Sequence, residues 1–276
     1  MESTPAKSPA LLTLILLSGL SIVSLTMFLP SLANIARTFE TDYALINLSI
    51  AGYAGMTAIV QLIVGPLSDR YGRRPVMLWA LLVFSVASVG CLFAQNVWAF
   101  LGFRLLQAAV ISGYAISVAV VRDTYSAEKS ASLIGYITAV SAIAPMLGPM
   151  IGGALDDLFG WRSNFVVFTS AGIFMFFICW IDLRETNMSA STTFRLQMRS
   201  YQELVQSKRF WGYSLCMAFC NAAFYVFLGG APLLAKSVFN VSTSEVGFYM
   251  GTTTVGFVLG SFLAGRFAAD YRLTTT

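Results

Sequence analysis

The sequence I-V-G-P-L-S-D-R-Y-G-R-R-P-V-M-L at residues 63–78 decides the fold of this chain. It holds three arginines and one aspartate, and long apolar runs flank it at 46–67 and 76–95. Crossing roughly 30 Å of hydrocarbon takes about 20 apolar residues in a helix, while glycine and proline favour a tight turn. We therefore predict two membrane-spanning helices joined by a short basic loop.

The composition extends this prediction to the whole chain. Of its 276 residues, 57% are hydrophobic and 11% are charged, whereas about a quarter of the residues in a soluble domain are charged. A soluble enzyme is therefore excluded. The absence of histidine removes histidine metal sites and Ser-His-Asp catalysis, and the dispersed net charge of +4 does not favour nucleic acid. We predict no enzymatic activity, metal or cofactor.

Apolar stretches long enough to span a bilayer occur eight times, which predicts an all-α integral membrane protein. They lie at 10–33, 46–67, 76–95, 97–121, 132–156, 162–182, 211–236 and 244–267. Lysine and arginine concentrate in cytoplasmic loops. With the N-terminus inside, 13 of the 17 basic residues lie on the cytoplasmic side, three lie outside and Arg104 lies within a span. We therefore predict a multi-pass protein with a cytoplasmic N-terminus.

A weak internal repeat predicts how the spans are grouped. Pro30 near the end of span one and Pro232 near the end of span seven are 202 residues apart, and Asp69 after span two is matched by Asp270 after span eight. A period of about 200 residues implies about 400 in an intact protein, so we expect a truncated chain with about 8 of 12 helices. The predicted parts are a six-helix bundle at 1–182, a cytoplasmic linker at 183–210 with a surface helix over 196–209, and the start of a second bundle at 211–276.

Four motifs carry a resemblance to a known family. The spacing G-x-L-x-D-R-x-G-R-R at 65–74 resembles the signature loop between helices two and three of the major facilitator superfamily. Arg104-Leu105-Leu106-Gln107 resembles the R-x-x-Q core of its proton-coupled members, although Ala108 replaces the usual glycine. Val121-Arg122-Asp123-Thr124-Tyr125 and Phe28-Leu29-Pro30 are similar to bicyclomycin-resistance type drug antiporters. Gly148-Pro149-Met150-Ile151-Gly152-Gly153 matches the G-P-x-x-G-G end of the drug-antiporter motif.

The resemblance implies a multidrug efflux transporter in the bacterial cytoplasmic (inner) membrane. It would export small amphipathic antimicrobials across the lipid bilayer by alternating access, in exchange for protons, as a monomer when full length. The implied gating loop consists of Gly65, Asp69, Arg70, Gly72, Arg73 and Arg74, with Asp123 as partner of Arg73. A basic loop that only sets topology is the alternative for this segment.

Two further motifs have alternative interpretations. Arg104, the implied proton-coupling residue, either faces protein or water, or extends its side chain to the membrane surface. Gln107 and Tyr114 share its helical face, which favours a polar cavity. Gly148, Pro149, Gly152 and Gly153 are implied to seal the bundle during switching, and simple helix packing explains them equally. Our substrate-binding candidates are Thr26, Gln107, Tyr114, Asn221 and Tyr225.

One departure from the family pattern bears on proton coupling. Thr26 stands where the family usually carries an aspartate, and all 13 acidic residues lie in loops or at helix ends. Arg104 stays charged at any relevant pH. A metabolite facilitator or importer on the same fold is therefore an alternative function. An inactive truncated remnant is a second alternative, and a membrane enzyme lacks a convincing set of catalytic residues.

Overall fold

The computed structural model describes residues 9–187, 205–252 and 256, and the elements within that part of the chain are helical. Seven helices are long and apolar enough to cross a membrane, and we name them α1 to α7 in chain order. They are α1 (Leu11–Thr38), α2 (Tyr43–Tyr71), α3 (Arg73–Phe93), α4 (Val97–Thr124), α5 (Ala127–Phe159), α6 (Arg162–Asp182) and α7 (Lys208–Ser237). A further helix, α8, begins at residue 243 and is described to residue 252.

The predicted spans overlap these helices, which extend further at most ends because amphipathic turns continue beyond the apolar stretch. The largest extensions are in α1, predicted to end at residue 33, and in α5, predicted to begin at residue 132. Most of the predicted eighth span, and most of the surface helix predicted over 196–209, lie outside the described residues. Lys208 and Arg209, predicted in the linker, already belong to α7.

Helices α1 and α4 are both interrupted near their middle. In α1, an α-helix over Leu11–Thr26 is followed by a 3-10 turn over Leu29–Ser31 and a second α-helix over Leu32–Thr38. Pro30 lies in this turn, where its missing N–H and its ring disfavour a continuous α-helix. In α4, a 3-10 turn over Ala108–Ile111 separates two α-helical parts. Both interruptions break the regular α-helical hydrogen bonding of these two helices near their middle.

The first six helices pack into one bundle. Helix α3 packs against α4 and α6, and α1 packs against α4, α5 and α6. The Asp182 carboxylate at the end of α6 accepts hydrogen bonds from the Ala10 backbone N at 2.8 Å and the Thr13 hydroxyl at 2.6 Å. The beginning of α1 and the end of α6 therefore meet at one end of the bundle. We call it the basic end, because the arginine-rich turn at 70–74 lies there, and we call the other end the distal end.

An aromatic cluster fills the core towards the distal end. The rings of Phe100, Trp161 and Phe165 contact one another edge to face, with centroids 5.5 to 5.8 Å apart, and Phe39 joins them at 5.6 Å from Phe100. Edge-to-face contacts of this kind stabilise a core beyond the burial of area. The Trp161 indole N donates a hydrogen bond to the Thr38 hydroxyl at 3.0 Å. The cluster thus fixes the distal ends of α1, α4 and α6 together.

Candidate functional site

Helix α7 contacts the six-helix bundle through its second half. The Tyr43 hydroxyl at the start of α2 donates to the Gly229 carbonyl at 2.8 Å. A Cβ added to Gly229 would lie 2.8 Å from Asn47 Oδ1, so the backbone of α7 closely approaches α2 here. From residue 208 to residue 223, by contrast, nearly every side chain of α7 is exposed. The described part of α7 is therefore joined to the bundle at the distal end and separated from it towards the basic end.

Asn34 connects charged residues of two other helices at the distal end. Its amide Nδ2 donates to Asp156 Oδ2 of α5 at 2.8 Å, and its Oδ1 accepts a hydrogen bond from Lys236 Nζ of α7. Asp156 is only 6% exposed. A buried carboxylate needs hydrogen bonds or an opposite charge, and Asn34 supplies the hydrogen bond while Lys236 supplies the nearby charge. One amide side chain thus links α1, α5 and α7.

Asp157 makes the neighbouring contact between α5 and α8. Its carboxylate accepts hydrogen bonds from the backbone N of Thr243 at 3.2 Å and of Ser244 at 2.6 Å. These N–H groups belong to the first turn of α8, where helix donors lack partners within the helix and the helix dipole favours negative charge. A residue of the first bundle thus caps a helix outside it.

The glycine-rich motif of α5 faces two different neighbours. A Cβ on Gly148 would lie 2.6 Å from the Thr26 hydroxyl, and one on Gly152 would overlap the Met27 carbonyl, so both glycines allow α1 to approach. A Cβ on Gly153 would instead overlap the Thr243 carbonyl of α8. The motif therefore serves packing within the bundle and the contact with α8 at the same time.

Helix α8 contributes its own small residues to this crossing. A Cβ on Gly247 would overlap the Pro149 carbonyl, and one on Gly251 would lie 3.0 Å from the Met146 carbonyl. Their four-residue spacing places both glycines on one face of α8, the arrangement that lets membrane helices approach closely. Together with the Asp157 cap, this packing closes the distal end between α5 and α8.

At the basic end, Arg73 lies between two carboxylates. Its Nη1 is 2.6 Å from Asp69 Oδ1 and also donates to the Ser68 hydroxyl at 2.6 Å, while its Nε is 3.1 Å from Asp123 Oδ2. These contacts join the end of α2 and the first residue of α3 to the end of α4. All of the partners belong to the six-helix bundle, so this network does not bridge the bundle to the described part of α7.

The turn itself depends on Gly72 and Glu185. The predicted basic loop is shorter than expected, because α2 continues to Tyr71, α3 begins at Arg73, and only Gly72 lies between them. Gly72 has a φ of +97°, which disfavours residues with a side chain, and a Cβ there would also overlap the Glu185 carboxylate. That carboxylate accepts hydrogen bonds from the backbone N of Arg73 at 2.9 Å and of Arg74 at 3.2 Å. Glu185 therefore caps the start of α3 with a charge that suits a helix N-terminus.

Arg104 is fully buried in the middle of the bundle, with 0% exposure, and so does not extend to the membrane surface. Its Nη1 donates to Gln107 Oε1 at 2.6 Å and to the Ser24 carbonyl at 3.3 Å. The guanidinium carbon lies 3.9 Å from the centroid of the Phe28 ring and 4.6 Å from that of Tyr53. In the described part of the chain no carboxylate forms a salt bridge with Arg104, and two of its nitrogens, Nε and Nη2, have no hydrogen-bond partner.

The network around Arg104 continues through neutral groups. Gln107 Nε2 donates to the Ser88 hydroxyl at 2.7 Å, and the hydroxyls of Ser24 and Tyr53 lie 2.6 Å apart. Rings and amide or hydroxyl dipoles therefore surround the buried cation. This arrangement stabilises one fixed position of the guanidinium and ties α4 to α1, α2 and α3.

The five predicted substrate-binding residues lie in different environments. Thr26 and Gln107 are 3% and 0% exposed and pack within the bundle, so neither is accessible to a ligand in this conformation. Tyr114 and Tyr225 are partly buried against the core. Asn221 is exposed, and its amide donates to the Met217 carbonyl of the same helix at 2.8 Å. Exposure therefore distinguishes Thr26 and Gln107, inside the bundle, from Asn221, on the surface.

Sequence reasoning missed the residues that close the distal end. The sequence places Asp156 and Asp157 among the acidic residues at helix ends, and it does not distinguish Asn34, Lys236 or Gly247 from other residues. Two signals were present in the sequence. One is the pair of adjacent acids at the end of an apolar span, and the other is the four-residue spacing of Gly247 and Gly251. Neither signal predicts which residue will be contacted, because the contacts join residues more than 80 positions apart in the sequence.

The family model described as Major Facilitator Superfamily matches residues 14–275 of this sequence. The chain belongs to the Major Facilitator Superfamily. The predicted all-α membrane fold is thereby confirmed, together with the prediction of a membrane transporter. At the level of the family, the chain belongs with transporters and not with enzymes.

Several relatives cover most of this chain. A chloramphenicol resistance protein of Pseudomonas aeruginosa is 33% identical over 241 residues, which are 86% of this chain and 57% of that protein. The multidrug transporter MdfA of Edwardsiella piscicida is 26% identical over 260 residues, which are 93% of this chain and 63% of that protein. The MFS-type transporter YdgK of Bacillus subtilis (strain 168) is 28% identical over 258 residues, which are 91% of this chain and 64% of that protein. The chain therefore spans less than two thirds of the length of these relatives.

Solved structures support the same fold. A bacterial homolog of the human lysosomal transporter Spinster, in an inward-facing and unoccupied conformation, superposes with a TM-score of 0.79 at 22% identity, covering 95% of this chain and 63% of that one. A D-xylose-proton symporter gives a TM-score of 0.66 at 14% identity, covering 95% and 69%. At these identities the similarity shows the fold alone.

Proposed function

We propose that this chain is part of a multidrug efflux transporter of the bicyclomycin-resistance type. It exports small amphipathic antimicrobials across the bacterial inner membrane by alternating access, in exchange for protons. The N-terminus is cytoplasmic in this proposal, so the basic end faces the cytoplasm and the distal end faces outward. The described conformation then corresponds to a transporter that is closed to the outside.

The contact of α7 and α8 with the six-helix bundle at one end only is the observation that carries this proposal. Tyr43 with Gly229, and Asp157 with Ser244, join the two parts at the distal end, while the first half of α7 is exposed. Alternating access requires two packings that each close one end. A small set of hydrogen bonds and glycine contacts is suited to opening and closing, because each contributes little alone.

The basic-end network supports a role for Arg73 in the alternate state. Arg73, Asp69 and Asp123 already hold a fixed geometry without help from α7. In the proposal, this preformed group and the neighbouring Arg70 and Arg74 contact the second bundle when the basic end closes. Gly72, with its positive φ, shapes the turn that presents them, whereas Gly65 lies within α2.

The proposed substrate class rests on the relatives. One relative is named for chloramphenicol resistance and another is named a multidrug transporter. The exposed first half of α7 carries Trp211, Tyr213 and Asn221, which suit an amphipathic compound with an aromatic part. Tyr114 and Tyr225 remain candidates for its binding, and Thr26 and Gln107 require a rearrangement of α1 or α4 to reach it.

A facilitator that equilibrates a metabolite without protons is the second candidate. It is favoured by the environment of Arg104, which forms no salt bridge with a carboxylate in the described residues. In the proton-coupled proposal, Arg104 instead acts by holding α1, α2 and α4 in register while protons bind elsewhere in the protein.

The test measures radiolabelled chloramphenicol in drug-hypersensitive bacteria that express the whole transporter of which this chain is proposed to be a part. Lower accumulation than in cells with an empty vector, reversed by a proton uncoupler, supports proton-driven export. Equal accumulation in the expressing cells and in the cells with an empty vector contradicts drug export. Faster entry that reaches the same plateau, unaffected by the uncoupler, supports the facilitator.

A pair of glycine variants on α5 links this activity to the closed distal end. Gly153→Ala places a Cβ against the Thr243 carbonyl and should hold α8 away, whereas Gly135→Ala meets no atom within 4 Å. We expect export to fall at least fivefold in Gly153→Ala and to stay unchanged in Gly135→Ala. Equal export by the two variants would show that transport does not depend on the contact between α5 and α8.

A further inference from the structure

A groove of about 340 Å³ lies on the surface between α3 and α6 and begins at the basic end. It is lined by Arg74, Pro75, Leu78, Trp79, Leu82, Phe176 and Trp180. Leu78 and Leu82 follow Arg74 by one and two helical turns, which is about 6 and 12 Å deeper along α3. Phe176 lies about one turn deeper than Trp180 on α6. The groove therefore runs from a charged mouth along an apolar floor.

The mouth of this groove carries a cation that is held in place. The Arg74 guanidinium lies 5.5 Å from the Trp180 ring centroid, and its Nη2 donates to the Trp180 carbonyl at 2.8 Å. In the described residues Arg74 forms no salt bridge, and the Glu185 carboxylate contacts its backbone N at 3.2 Å. Arg74 therefore presents a positioned positive charge, and its guanidinium has nitrogen donors besides the Nη2 that contacts Trp180.

The depth of the groove identifies the kind of molecule that fits it. Trp79 and Trp180 are 66% and 57% exposed, and tryptophans with an amphipathic ring favour the level of the lipid headgroups. Arginine binds phosphate through a planar set of donors. An apolar channel leading from that level into the hydrocarbon suits an acyl chain.

We propose that this groove binds one anionic phospholipid, with its phosphate on Arg74 and an acyl chain along Leu78, Leu82 and Phe176. The negative headgroup complements the Arg74 guanidinium, which forms no salt bridge in the described residues. The bound lipid fastens α3 to α6 beside the turn that holds Arg73. This site lies at the basic end, away from the distal contacts.

Native mass spectrometry of the purified full chain tests the proposal. The protein in detergent is incubated with dioleoyl phosphatidylglycerol or with dioleoyl phosphatidylcholine, and the retained lipid is counted. We expect one phosphatidylglycerol to be retained at least tenfold more than phosphatidylcholine. Equal retention of the two lipids would overturn the proposal, as would displacement of phosphatidylglycerol by inorganic phosphate alone, since free phosphate would then be the ligand.

Two variants and a matched control locate the bound lipid. Arg74→Gln removes the charge, and Leu82→Trp fills the groove while Arg74 stays in place, so each should lower phosphatidylglycerol retention at least fivefold. Arg162 at the distal end is the control, because its contacts are of the same two kinds. Its guanidinium lies 4.3 Å from the Trp161 ring centroid, and its Nε donates a hydrogen bond to the Leu92 carbonyl at 3.3 Å. Arg162→Gln should retain the lipid like the unaltered chain. If Arg74→Gln fails to fold, Leu82→Trp decides, and unchanged retention in the folded variants refutes the site.

Discussion

The Asp157 carboxylate lies 2.6 Å from the backbone N of Ser244 and caps the first turn of α8 from the neighbouring helix α5. Helix caps usually come from the residue that precedes the helix. At the start of α8, Ser242 and Glu245 form such a local cap through reciprocal hydrogen bonds, and Asp157, 87 positions before Ser244 on the six-helix bundle, adds a second cap. The contribution of Asp157 to the start of α8 is made only while the distal end is closed, so this hydrogen bond biases the balance between the two conformations.

Asp157→Ala should shift that balance towards an open distal end. Loss of a helix cap costs about 1 kcal/mol, which corresponds to roughly a fivefold change in the ratio of two states. Spin labels at Phe159 and Val238, which are 74% and 66% exposed, report the distance between α5 and the end of α7. Double electron–electron resonance should show a larger population at long distances in the variant.

Asp42→Ala is the matched control for this measurement. Asp42 also precedes a helix at the distal end, but its side chain makes no capping hydrogen bond to α2. Its removal should leave the distance distribution unchanged. A shift of equal size in both variants would mean that general loss of negative charge, and not the cap, controls the distal end.

Gly152→Ala should lower the stability of the six-helix bundle whether or not a ligand is bound. The added Cβ overlaps the Met27 carbonyl, and forced overpacking in a core costs about 1 to 3 kcal/mol. Gly135→Ala on the same helix meets open space, and should stabilise the protein by about 0.5 to 1 kcal/mol because alanine favours a helix over glycine. Thermal unfolding in detergent measures both, and a lower midpoint for Gly135→Ala than for Gly152→Ala would contradict the packing argument.

The helices were predictable from the sequence, while the contacts between the two parts of the chain were not. Hydropathy is a local property, so runs of apolar residues predicted α3 and α6 to within a few positions. The distal contacts depend on which helices meet in three dimensions. Asp156 and Asp157 have the same charge and adjacent positions, yet one binds Asn34 and the other caps α8, and no sequence pattern separates them.

The loop motif shows an intermediate case. Its glycine, aspartate and arginines predicted a tight basic turn, and the positive φ of Gly72 explains why that position needs glycine. The cap from Glu185 was not predictable, because that residue follows α6 and reaches the turn only after α3 and α6 pack together. The cost of a charge in the membrane left two positions open for Arg104, one facing protein or water and one at the membrane surface, and the structure shows the buried position with neutral surroundings.

The basic end should face the cytoplasm. Cysteine replacing Tyr71, which is 59% exposed, should resist an impermeant thiol reagent added to intact cells and react after the membrane is opened. Cysteine replacing Val238 at the distal end should react in intact cells. Both are introduced in a cysteine-free background, and the opposite pattern of labelling would reverse the proposed orientation.

Arg104→Lys should reach the membrane but lose most of its transport. The guanidinium plane lies against Phe28 and Tyr53 while Nη1 contacts Gln107 and the Ser24 carbonyl. A lysine ammonium keeps the charge but lacks the planar set of donors. Losing a buried hydrogen bond to a charged group costs about 1.5 to 3 kcal/mol, which loosens the packing of α4 against α1 and α2.

The assay pairs a drug-survival curve with a blot of protein in the membrane fraction. We expect at least a tenfold loss of resistance in Arg104→Lys at near-normal membrane levels, because the buried cation keeps the helices inserted but no longer holds their register. Arg162→Lys provides the control, since Arg162 is exposed at the distal end and an ammonium there is solvated equally well. Unchanged resistance in Arg104→Lys would show that transport needs only a positive charge at this position, and would leave the geometry of the Arg104 network without a role in switching.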